Sequence, residues 1–324
     1  MTEAFNQDTA TIQQIPTVAF VIPHMGRPEL LQQTIASILA QSAFMQVEQI
    51  VVVTKNTAPL QLASHEKLNI VYAGTAKTIS EQRNIGVRQT HSEYVAFLDA
   101  DIQLAQDWLA VCLQMIQSNP DISLVSAKQS AAPQAGPIER LRTALSNTSL
   151  DQAVAFLPGR NLLLKRSLHD SIGGFPEHLQ TCEDYFYTEK VSKHGQLFYT
   201  SKTDYVHLGE DKTLNQTFSK EIWRSEYNLR SVSGRTVPLR EWPSILLPFW
   251  FCIAILALPL SLYWPALLAP AILMFIAPVA AYSLRLYQQP AHAVSLVYIS
   301  VFYSIYFVAR TIGTVAGLRF LFLR

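Results

Sequence analysis

The feature of this sequence that most constrains its fold is a long uncharged stretch towards its C-terminal end. Residues 242–284 contain no Asp, Glu, Lys or Arg, although charged residues make up 15% of the chain. Within this stretch, residues 245–263 and 266–284 are each close to the roughly 20 residues that a helix needs to cross a bilayer. Tyr263-Trp264-Pro265 between them is typical of a turn at the membrane interface. The pattern favours a membrane hairpin over two buried core helices.

A third apolar segment, residues 294–317, is interrupted by Arg310. Basic residues beside the first two segments favour a cytoplasmic location for both ends of the hairpin. A third crossing would put the C-terminal arginines on the outer side, which the same rule disfavours. The third segment therefore either lies in the interface or does not fully cross, and the sequence leaves both open. The flanking arginines are Arg235, Arg240 and Arg285, and the C-terminal ones are Arg319 and Arg324.

The uneven distribution of charged residues divides the chain into three predicted parts. Residues 1–16 are predicted to be a flexible tail, residues 17–241 a catalytic domain, and residues 242–324 a membrane domain with two to three apolar helices. The tail lacks a secretory signal, and three widely spaced cysteines suit a reducing compartment. We therefore expect a multi-pass protein of the cell (inner) membrane with a cytoplasmic catalytic domain. The net charge of +1 gives no case for a nucleic-acid partner.

Apolar runs alternate with helical patterns over the first 120 residues. Continuous apolar runs predict buried strands, and leucine or isoleucine at helical spacing predicts the helices between them. This alternation indicates an α/β fold with a mostly parallel, Rossmann-like sheet. Residues 126–136 read as a looser stretch, followed by short strands and one helix near 183–194. The predicted strands are 17–23, 50–53, 69–72 and 94–98, and the predicted helices begin at Pro28 or cover 79–90 and 105–118.

The fourth predicted strand ends at Asp99-Ala100-Asp101. Ligands of parallel α/β sheets bind at the carboxyl ends of the strands, which is where these carboxylates are expected. Mg²⁺ and similar hard cations prefer oxygen ligands and commonly combine one or two carboxylates with phosphate oxygens. Two acids in a surface loop are also commonplace, so the triplet by itself leaves a metal site and an ordinary loop equally open.

Several motifs together resemble glycosyltransferase family 2, whose catalytic domain has the GT-A fold, over roughly residues 17–230. Asp99-Ala100-Asp101 resembles the family's acidic metal motif, and Gly173-Gly174-Phe175 resembles its glycine turn. Cys182-Glu183-Asp184 is similar to the acidic pair that supplies the catalytic base, and His207 to a further metal ligand. The remaining similar segments are Val21-Ile22-Pro23, Arg27-Pro28-Glu29-Leu30-Leu31, Ser80-Glu81-Gln82-Arg83-Asn84-Ile85-Gly86 and Pro158-Gly159-Arg160-Asn161.

The resemblance implies a role for each matched position. It implies Asp184 as the catalytic base, assisted by Glu183, and a divalent cation (Mg²⁺ or Mn²⁺) held by Asp99, Asp101 and His207. The implied acceptor side is Gly159, Arg160 and Asn161. The implied donor-nucleotide residues are Pro23, His24, Arg27, Asn56, Arg83, Asp99 and Arg224. One departure is that Val53-Thr54-Lys55-Asn56 lacks the acidic residues that usually read the base, which leaves UDP- and GDP-sugars both open as donors.

Structural roles compete with several of these assignments. Glu183 and Asp184 could simply cap the N–H groups at a helix start. His207 could be an ordinary core or surface histidine, and Arg83 could be an ordinary charge on a helix face. Arg224 could meet a diphosphate or lipid headgroups.

The expected reaction is inverting, metal-dependent transfer of one sugar to an acceptor hydroxyl or phosphate. The membrane segment makes a lipid-linked or polyprenyl-phosphate acceptor the first choice. The alternatives are an inactive glycosyltransferase-like membrane scaffold and a nucleotidyltransferase. The lack of a basic glycine-rich loop after the first strand argues against the nucleotidyltransferase.

Overall fold

The computed structural model describes residues 15–231, 237, 239–289 and 294–319. The predicted N-terminal tail, Arg235 and Arg324 therefore lie outside the described residues, apart from positions 15 and 16. The strands are β1 (Val18–His24), β2 (Val47–Thr54), β3 (Leu68–Tyr72), β4 (Tyr94–Leu98), β5 (Ile102–Leu104), β6 (Ile122–Ser130), β7 (Gln152–Val154), β8 (Asn161–Lys165) and β9 (Gln196–His207).

The described strands form one mixed sheet in the order β3-β2-β1-β4-β8-β6-β9-β5, with β7 paired to β9. The left half, β3-β2-β1-β4, is entirely parallel. Strand β8 enters antiparallel to β4 and β6, so its first residue lies at the edge where β4 ends. Strand β9 runs parallel to β6 and ends at that same edge. The predicted GT-A-type α/β architecture with a mostly parallel sheet is confirmed.

Helices cover both faces of the sheet and continue into the apolar C-terminal region. They are α1 (Pro28–Leu39), α2 (Ile79–Arg88), α3 (Trp108–Ser118), α4 (Pro137–Ser146), α5 (Arg166–Ser171), α6 (Glu183–Ser192), α7 (Leu214–Glu226), α8 (Asn228–Ser231), α9 (Trp242–Leu260), α10 (Leu268–Tyr287) and α11 (Leu296–Gly317).

The first four strands consist mostly of apolar residues, which is why their positions could be predicted. Val18, Phe20 and Ile22 of β1 face α1 and α3, whereas Val21 faces the opposite layer. The prediction of a loose stretch at residues 126–136 was wrong over its first half, because β6 continues to Ser130. Ser126 and Gln129 of β6 are buried although their side chains are polar, so they interrupt the apolar run that would have predicted a strand. The Gln129 amide donates to Glu210 Oε2.

Three helices of the C-terminal region are long and apolar enough to cross a membrane by length and composition. Helices α9 and α10 form a hairpin whose side chains are largely exposed, as is usual for lipid-facing helices. Helix α11 is more buried, because it packs on α4 and α7 as well as on the hairpin. One apolar cluster, including Leu141, Phe251 and Phe302, thereby joins the membrane region to the α/β domain.

Candidate active site

The chemistry-bearing residues converge on the sheet edge where β1, β2, β4 and β9 end. Asp99 and Asp101 follow β4, and His207 is the last residue of β9. Strand β5 pairs with β9 so that Ile102 lies opposite His207, which brings the two motifs together although they are distant in sequence. The topology therefore gathers the residues predicted from separate motifs at one edge, as expected for ligand binding in α/β sheets.

Arg83 of α2 links the two acidic motifs of the site. Its guanidinium is 1% exposed and donates to Asp99 Oδ1 and Glu183 Oε1, both at 2.9 Å. It also donates to the carbonyl oxygen of Gly159 at 3.1 Å and lies 4.8 Å from the Phe175 ring centroid. A planar guanidinium suits such multiple contacts because its donors have fixed directions. Arg83 is therefore a central structural contact of the site rather than an ordinary helix-face charge.

The glycine turn lies directly beneath this contact. Gly173 and Gly174 both have positive φ, and a Cβ on Gly174 would come within 2.7 Å of Asn84 Oδ1. The Asn84 amide holds the turn by donating to the carbonyl of Phe175 and accepting from its N–H, both at 2.9 Å. The turn thus positions Phe175 against Arg83, which explains why glycines are needed here.

The acidic pair begins α6 immediately after a strained residue. Cys182 adopts a left-handed conformation with φ 63°, which is unusual for a residue with a side chain. Burial raises the pKa of Glu183 to about 7, and the neighbouring Asp184 carboxylate adds to this effect against the opposing charge of Arg83. Asp184 instead accepts from the backbone N–H of Gly159 at 3.2 Å. The two carboxylates are therefore held differently: Glu183 by a cation, and Asp184 by the backbone N–H groups of Gly159 and Tyr185.

Asp101 and His207 form the other half of the site. His207 Nε2 lies 3.3 Å from Asp101 Oδ1, and Arg27 Nη2 lies 2.8 Å from Asp101 Oδ2. Burial favours a higher pKa for Asp101, but the contacts with His207 and Arg27 outweigh it and hold the pKa below its usual value. Asp101 is thus prepared to remain a carboxylate. Gly209 packs so closely that a Cβ there would overlap this carboxylate.

The donor chemistry at Asp101 and His207 fits a divalent cation that is shared with a ligand. A carboxylate oxygen of Asp101 and the Nε2 atom of His207 lie 3.3 Å apart, so both donors would reach one bound ion. Within the described parts of the chain, no three His, Cys, Asp or Glu side chains form a complete metal site. The residues present therefore suit a cation whose remaining ligands come from a diphosphate and water.

Glu210 supports His207 from the other side of its ring. His207 Nδ1 lies 3.1 Å from Glu210 Oε2, and Arg142 Nε lies 3.2 Å from Glu210 Oε1. Burial would raise the pKa of Glu210, but the His207 hydrogen bond and the nearby Arg142 and Arg160 charges lower it far below its usual value. A carboxylate behind a histidine fixes the orientation of its ring, as is usual for metal-binding histidines. Glu210 and Arg142 were missed from the sequence, although an acid three residues after His207 was a usable signal.

The predicted nucleotide-side residues occupy two loops at the same edge. Gly26 and Arg27 both have positive φ, which turns the chain sharply between β1 and α1 and directs Arg27 onto Asp101. Asn56 Oδ1 accepts from the backbone N–H of Gly26 at 2.8 Å and so ties this turn to the end of β2. His24, which follows Pro23 in β1, is 2% exposed and its Nδ1 lies 2.9 Å from Thr54 Oγ1. These contacts build the loop geometry, with Arg27 more exposed than His24.

The three residues predicted for the acceptor side differ in exposure. Gly159 contacts both Arg83 and Asp184 through its backbone. Arg160 is hydrogen-bonded to Gln129 and to Ser146 Oγ, and it lines a cavity of about 580 Å³. Asn161 is completely buried, and its Oδ1 accepts from Trp108 Nε1 and from the Ala127 backbone. Asn161 thus joins β8 to β6 and α3, beneath the surface formed by the other two.

A second cavity, of about 690 Å³, opens directly in front of the acidic pair. Glu183 and Asp184 lie on its wall, together with Arg224 from α7 and Arg310 from α11. Arg224 is therefore brought to the acidic pair, on the side that faces the apolar helices. Arg310 was read only as an interruption of a membrane segment; its role in lining this cavity depends on packing that the sequence does not display.

The fold and the composition of this edge define a GT-A-type domain with a site suited to a cation and a diphosphate. Residues 19–173 match the model of the family described as glycosyl transferase family 2. This segment, nearly half of the chain, therefore forms a glycosyltransferase family 2 domain.

Similar proteins agree with this classification. Glycosyltransferase AglE of Haloferax volcanii is 22% identical over 192 residues, which cover 56% of this chain and 63% of AglE. Mannosyltransferase PcManGT of Pyrobaculum calidifontis, solved with GDP-Man and Mn²⁺, has a TM-score of 0.59 at 18% identity, covering 94% of this chain and 88% of that one. GalNAc-T7, solved with UDP, GalNAc and Mn²⁺, has a TM-score of 0.51 at 16% identity, covering 68% and 50%. The likeness to the solved structures establishes the fold.

Proposed function

We propose that this protein is an inverting, metal-dependent glycosyltransferase that moves one sugar from a UDP- or GDP-sugar to a lipid-linked acceptor at the cytoplasmic face of the membrane. The observation that carries the proposal is the contact of buried Arg83 with both Asp99 and Glu183. It keeps the metal-side and base-side carboxylates at a fixed separation. A reaction that needs a leaving group on one side and a base on the other requires such an arrangement.

Asp101 and His207 are the residues that would hold Mg²⁺ or Mn²⁺, whereas Asp99 beside them is paired with Arg83. A bound cation supplies charge neutralisation for the departing diphosphate. The solved relatives PcManGT and GalNAc-T7 were each determined with Mn²⁺, which supports this choice of cofactor. Arg27, whose side chain is more than half exposed beside Asp101, adds a positive charge on the diphosphate side. Pro23, His24 and Asn56 support the turn between β1 and α1 that carries Arg27.

Asp184 is proposed as the base. Its carboxylate is oriented by the backbone N–H of Gly159 and lines the cavity in front of α6. It accepts the proton of an acceptor hydroxyl while that oxygen bonds to the anomeric carbon and the bond to the diphosphate breaks on the opposite face. Glu183 is engaged by Arg83 and holds α6 in place. Where the acceptor is already an anionic phosphate, the attack needs no proton transfer and Asp184 has only an orienting role.

The cavity of about 690 Å³ is the proposed acceptor site. One wall carries the acidic pair, and the others come from α7 and from the apolar helix α11. Arg224 gives this cavity a partly exposed cationic group that suits a phosphate headgroup, while Arg142 and Arg310 are paired with Glu210 and Glu221. Arg160 lines the neighbouring cavity of about 580 Å³, and Gly159 contacts Asp184 through its backbone N–H. A lipid-linked acceptor fits because its headgroup would enter from the face that carries the membrane helices.

The test is transfer and donor hydrolysis with UDP- and GDP-sugars, with Mg²⁺, Mn²⁺ or chelator, in detergent or vesicles. Asp184→Asn is expected to abolish transfer to a hydroxyl acceptor while leaving nucleotide-induced thermal stabilisation unchanged. Asp170→Asn is the matched control, because Asp170 is more than half exposed and pairs with Arg166 on α5, away from the acidic pair in sequence. Near-normal transfer by Asp184→Asn would refute the base assignment. No turnover and no binding of any nucleotide sugar would favour the inactive scaffold instead.

A further inference from the structure

Helix α11 lies along α7 of the catalytic domain, and two glycines make this approach possible. A Cβ on Gly313 would overlap the carbonyl oxygen of Ile222 and lie 2.7 Å from Ser225 Cβ. A Cβ on Gly317 would overlap the carbonyl oxygen of Glu226. Small residues four positions apart let helix backbones approach closely, as they do between membrane helices. Here the partner is a helix of the water-soluble domain.

Ion pairs fix the same two helices together. Arg310 Nη1 of α11 lies 2.8 Å from Glu221 Oε1 of α7, and Glu221 is 3% exposed. Closer to the end of α11, Arg319 Nη2 lies 3.0 Å from Glu226 Oε2. The interruption of this apolar segment by Arg310 is thereby explained, because the arginine faces the catalytic domain rather than lipid. The two contacts align α7 and α11 side by side over the whole second half of α11.

The opposite face of α7 is exposed and mostly polar, with the exposed Trp223 towards its C-terminal end. Asn215, Gln216, Ser219 and Lys220 all lie on it. Packed helix axes are about 8–10 Å apart, so α7 must remain at the same depth as the part of α11 that it contacts. If α11 crossed the bilayer, this polar face of α7 would be drawn into the hydrocarbon, where such side chains are strongly disfavoured. The packing is therefore incompatible with a crossing by the second half of α11.

The outward face of α11 is an unbroken aliphatic stripe, with no charged residue along it. Val297, Val301, Ile312 and Val315 are exposed, and two half-buried residues continue the stripe between them. The stripe consists of Val297, Val301, Ile305, Val308, Ile312 and Val315. The exposed apolar hairpin of α9 and α10 adjoins α11, since the ring of Phe251 stacks on Phe307 and that of Tyr282 packs edge-on against it. The stripe thus continues the membrane-facing surface of the hairpin.

We propose that α11 does not cross the membrane but lies in its interface, with the aliphatic stripe in contact with lipid acyl chains. One face of the helix then forms a wall of the acceptor-side cavity, and the other face rests on the bilayer. Both ends of α11 remain on the side of the catalytic domain. A helix with opposed catalytic-domain and lipid faces is the arrangement expected for a surface-lying anchor.

The test is a depth measurement along the stripe in the full-length protein, reconstituted in phosphatidylcholine–phosphatidylglycerol vesicles. Spin labels are attached to single cysteines at each stripe position, with Cys112, Cys182 and Cys252 replaced. Collision with oxygen and with a water-soluble nickel complex then reports the depth of each label. Val297 and Val315 are separated by 18 residues, or about 27 Å along the helix axis, so the two orientations give different profiles.

We expect all six labels to prefer oxygen and to lie at one shallow depth. A label at exposed Ser219 on α7 should remain in water, and one at exposed Leu256 on α9 should lie deeper; these two positions calibrate the scale. A profile that passes through the bilayer centre near Ile305 would overturn the proposal. Labels that collide mainly with the nickel complex would also overturn it, because the stripe would then lie in water. Broadening between labels that grows with protein density would overturn it as well, because it would indicate that a second copy of the chain covers the stripe.

Discussion

Replacing Arg83 by methionine tests whether one buried cation organises the site. The side chain is 1% exposed, and its removal leaves the Glu183 and Asp99 carboxylates without their shared partner. Breaking a buried ion pair by removing one member costs about 3–5 kcal/mol. At about 2 °C or more per kcal/mol for a chain of this size, the midpoint of thermal unfolding should fall by at least about 6 °C. Transfer activity should be lost together with the fixed spacing of the two acidic motifs.

Arg88→Met is the matched control, because Arg88 lies on the same helix but is 61% exposed and pairs with Glu177 at 3.9 Å. An exposed pair of this kind contributes only about 0–1 kcal/mol, so this variant should unfold almost like the unaltered protein. Thermal unfolding in the same detergent, followed by intrinsic fluorescence, compares the two variants directly. Equal unfolding midpoints for the two variants would refute the reasoning.

The cause of the loss can be separated from simple repacking. Neutralising the stranded carboxylates, as in Arg83→Met combined with Asp99→Asn and Glu183→Gln, should restore much of the stability because no unpaired buried charge remains. Activity should not return, since the acidic groups themselves are absent. A triple variant as unstable as Arg83→Met alone would show that packing against Phe175, rather than charge, accounts for the effect.

Three further outcomes are expected. Gly209→Ala should weaken metal-dependent activity by at least about tenfold in a Mn²⁺ titration, because the added Cβ would overlap the Asp101 carboxylate. Gly74→Ala, where a Cβ meets nothing within 4 Å, should leave the activity in the same titration unchanged. Transfer should increase as the pH rises through about 7, because burial raises the pKa of Glu183 and only its ionised form pairs fully with the Arg83 guanidinium. If a Glu183→Gln variant keeps this increase with pH, Glu183 is not the group that causes it. Gly313→Ala should separate α11 from the α7 backbone and lower stability by about 1–3 kcal/mol, measured by thermal unfolding.

Local patterns were sufficient for the parts of the fold that depend on local burial. Strands β1, β2 and β4 contain continuous buried apolar runs, and their positions follow from the need of a parallel sheet to be covered on both faces. The position of Asp99 at a strand end and of Glu183 at a helix start could be read in the same way. Strand β6 could not, because its buried Gln129 is hydrogen-bonded to side chains from elsewhere in the chain.

The connections within the site required the folded structure. Arg83 and Glu183 are 100 positions apart, and no local pattern distinguishes a buried arginine from an exposed one on the same helix. Glu210, which contacts His207, is held in turn by Arg142, and Arg142 lies on a helix that the sequence did not predict. Motif resemblance implied which residue types gather at this edge. Their hydrogen-bond partners follow from long-range packing.

The position of Arg310 links the membrane region to the proposed reaction. A charged residue in an apolar segment is costly unless it has a partner, and Glu221 provides one on the catalytic domain. That pairing puts α11 beside the cavity that contains Glu183 and Asp184, so the helix that we propose to contact lipid also lines the proposed acceptor site. An acceptor that is anchored in the bilayer would therefore reach the acidic pair without leaving the membrane. A soluble acceptor would gain nothing from this arrangement, which is why we favour a lipid-linked one.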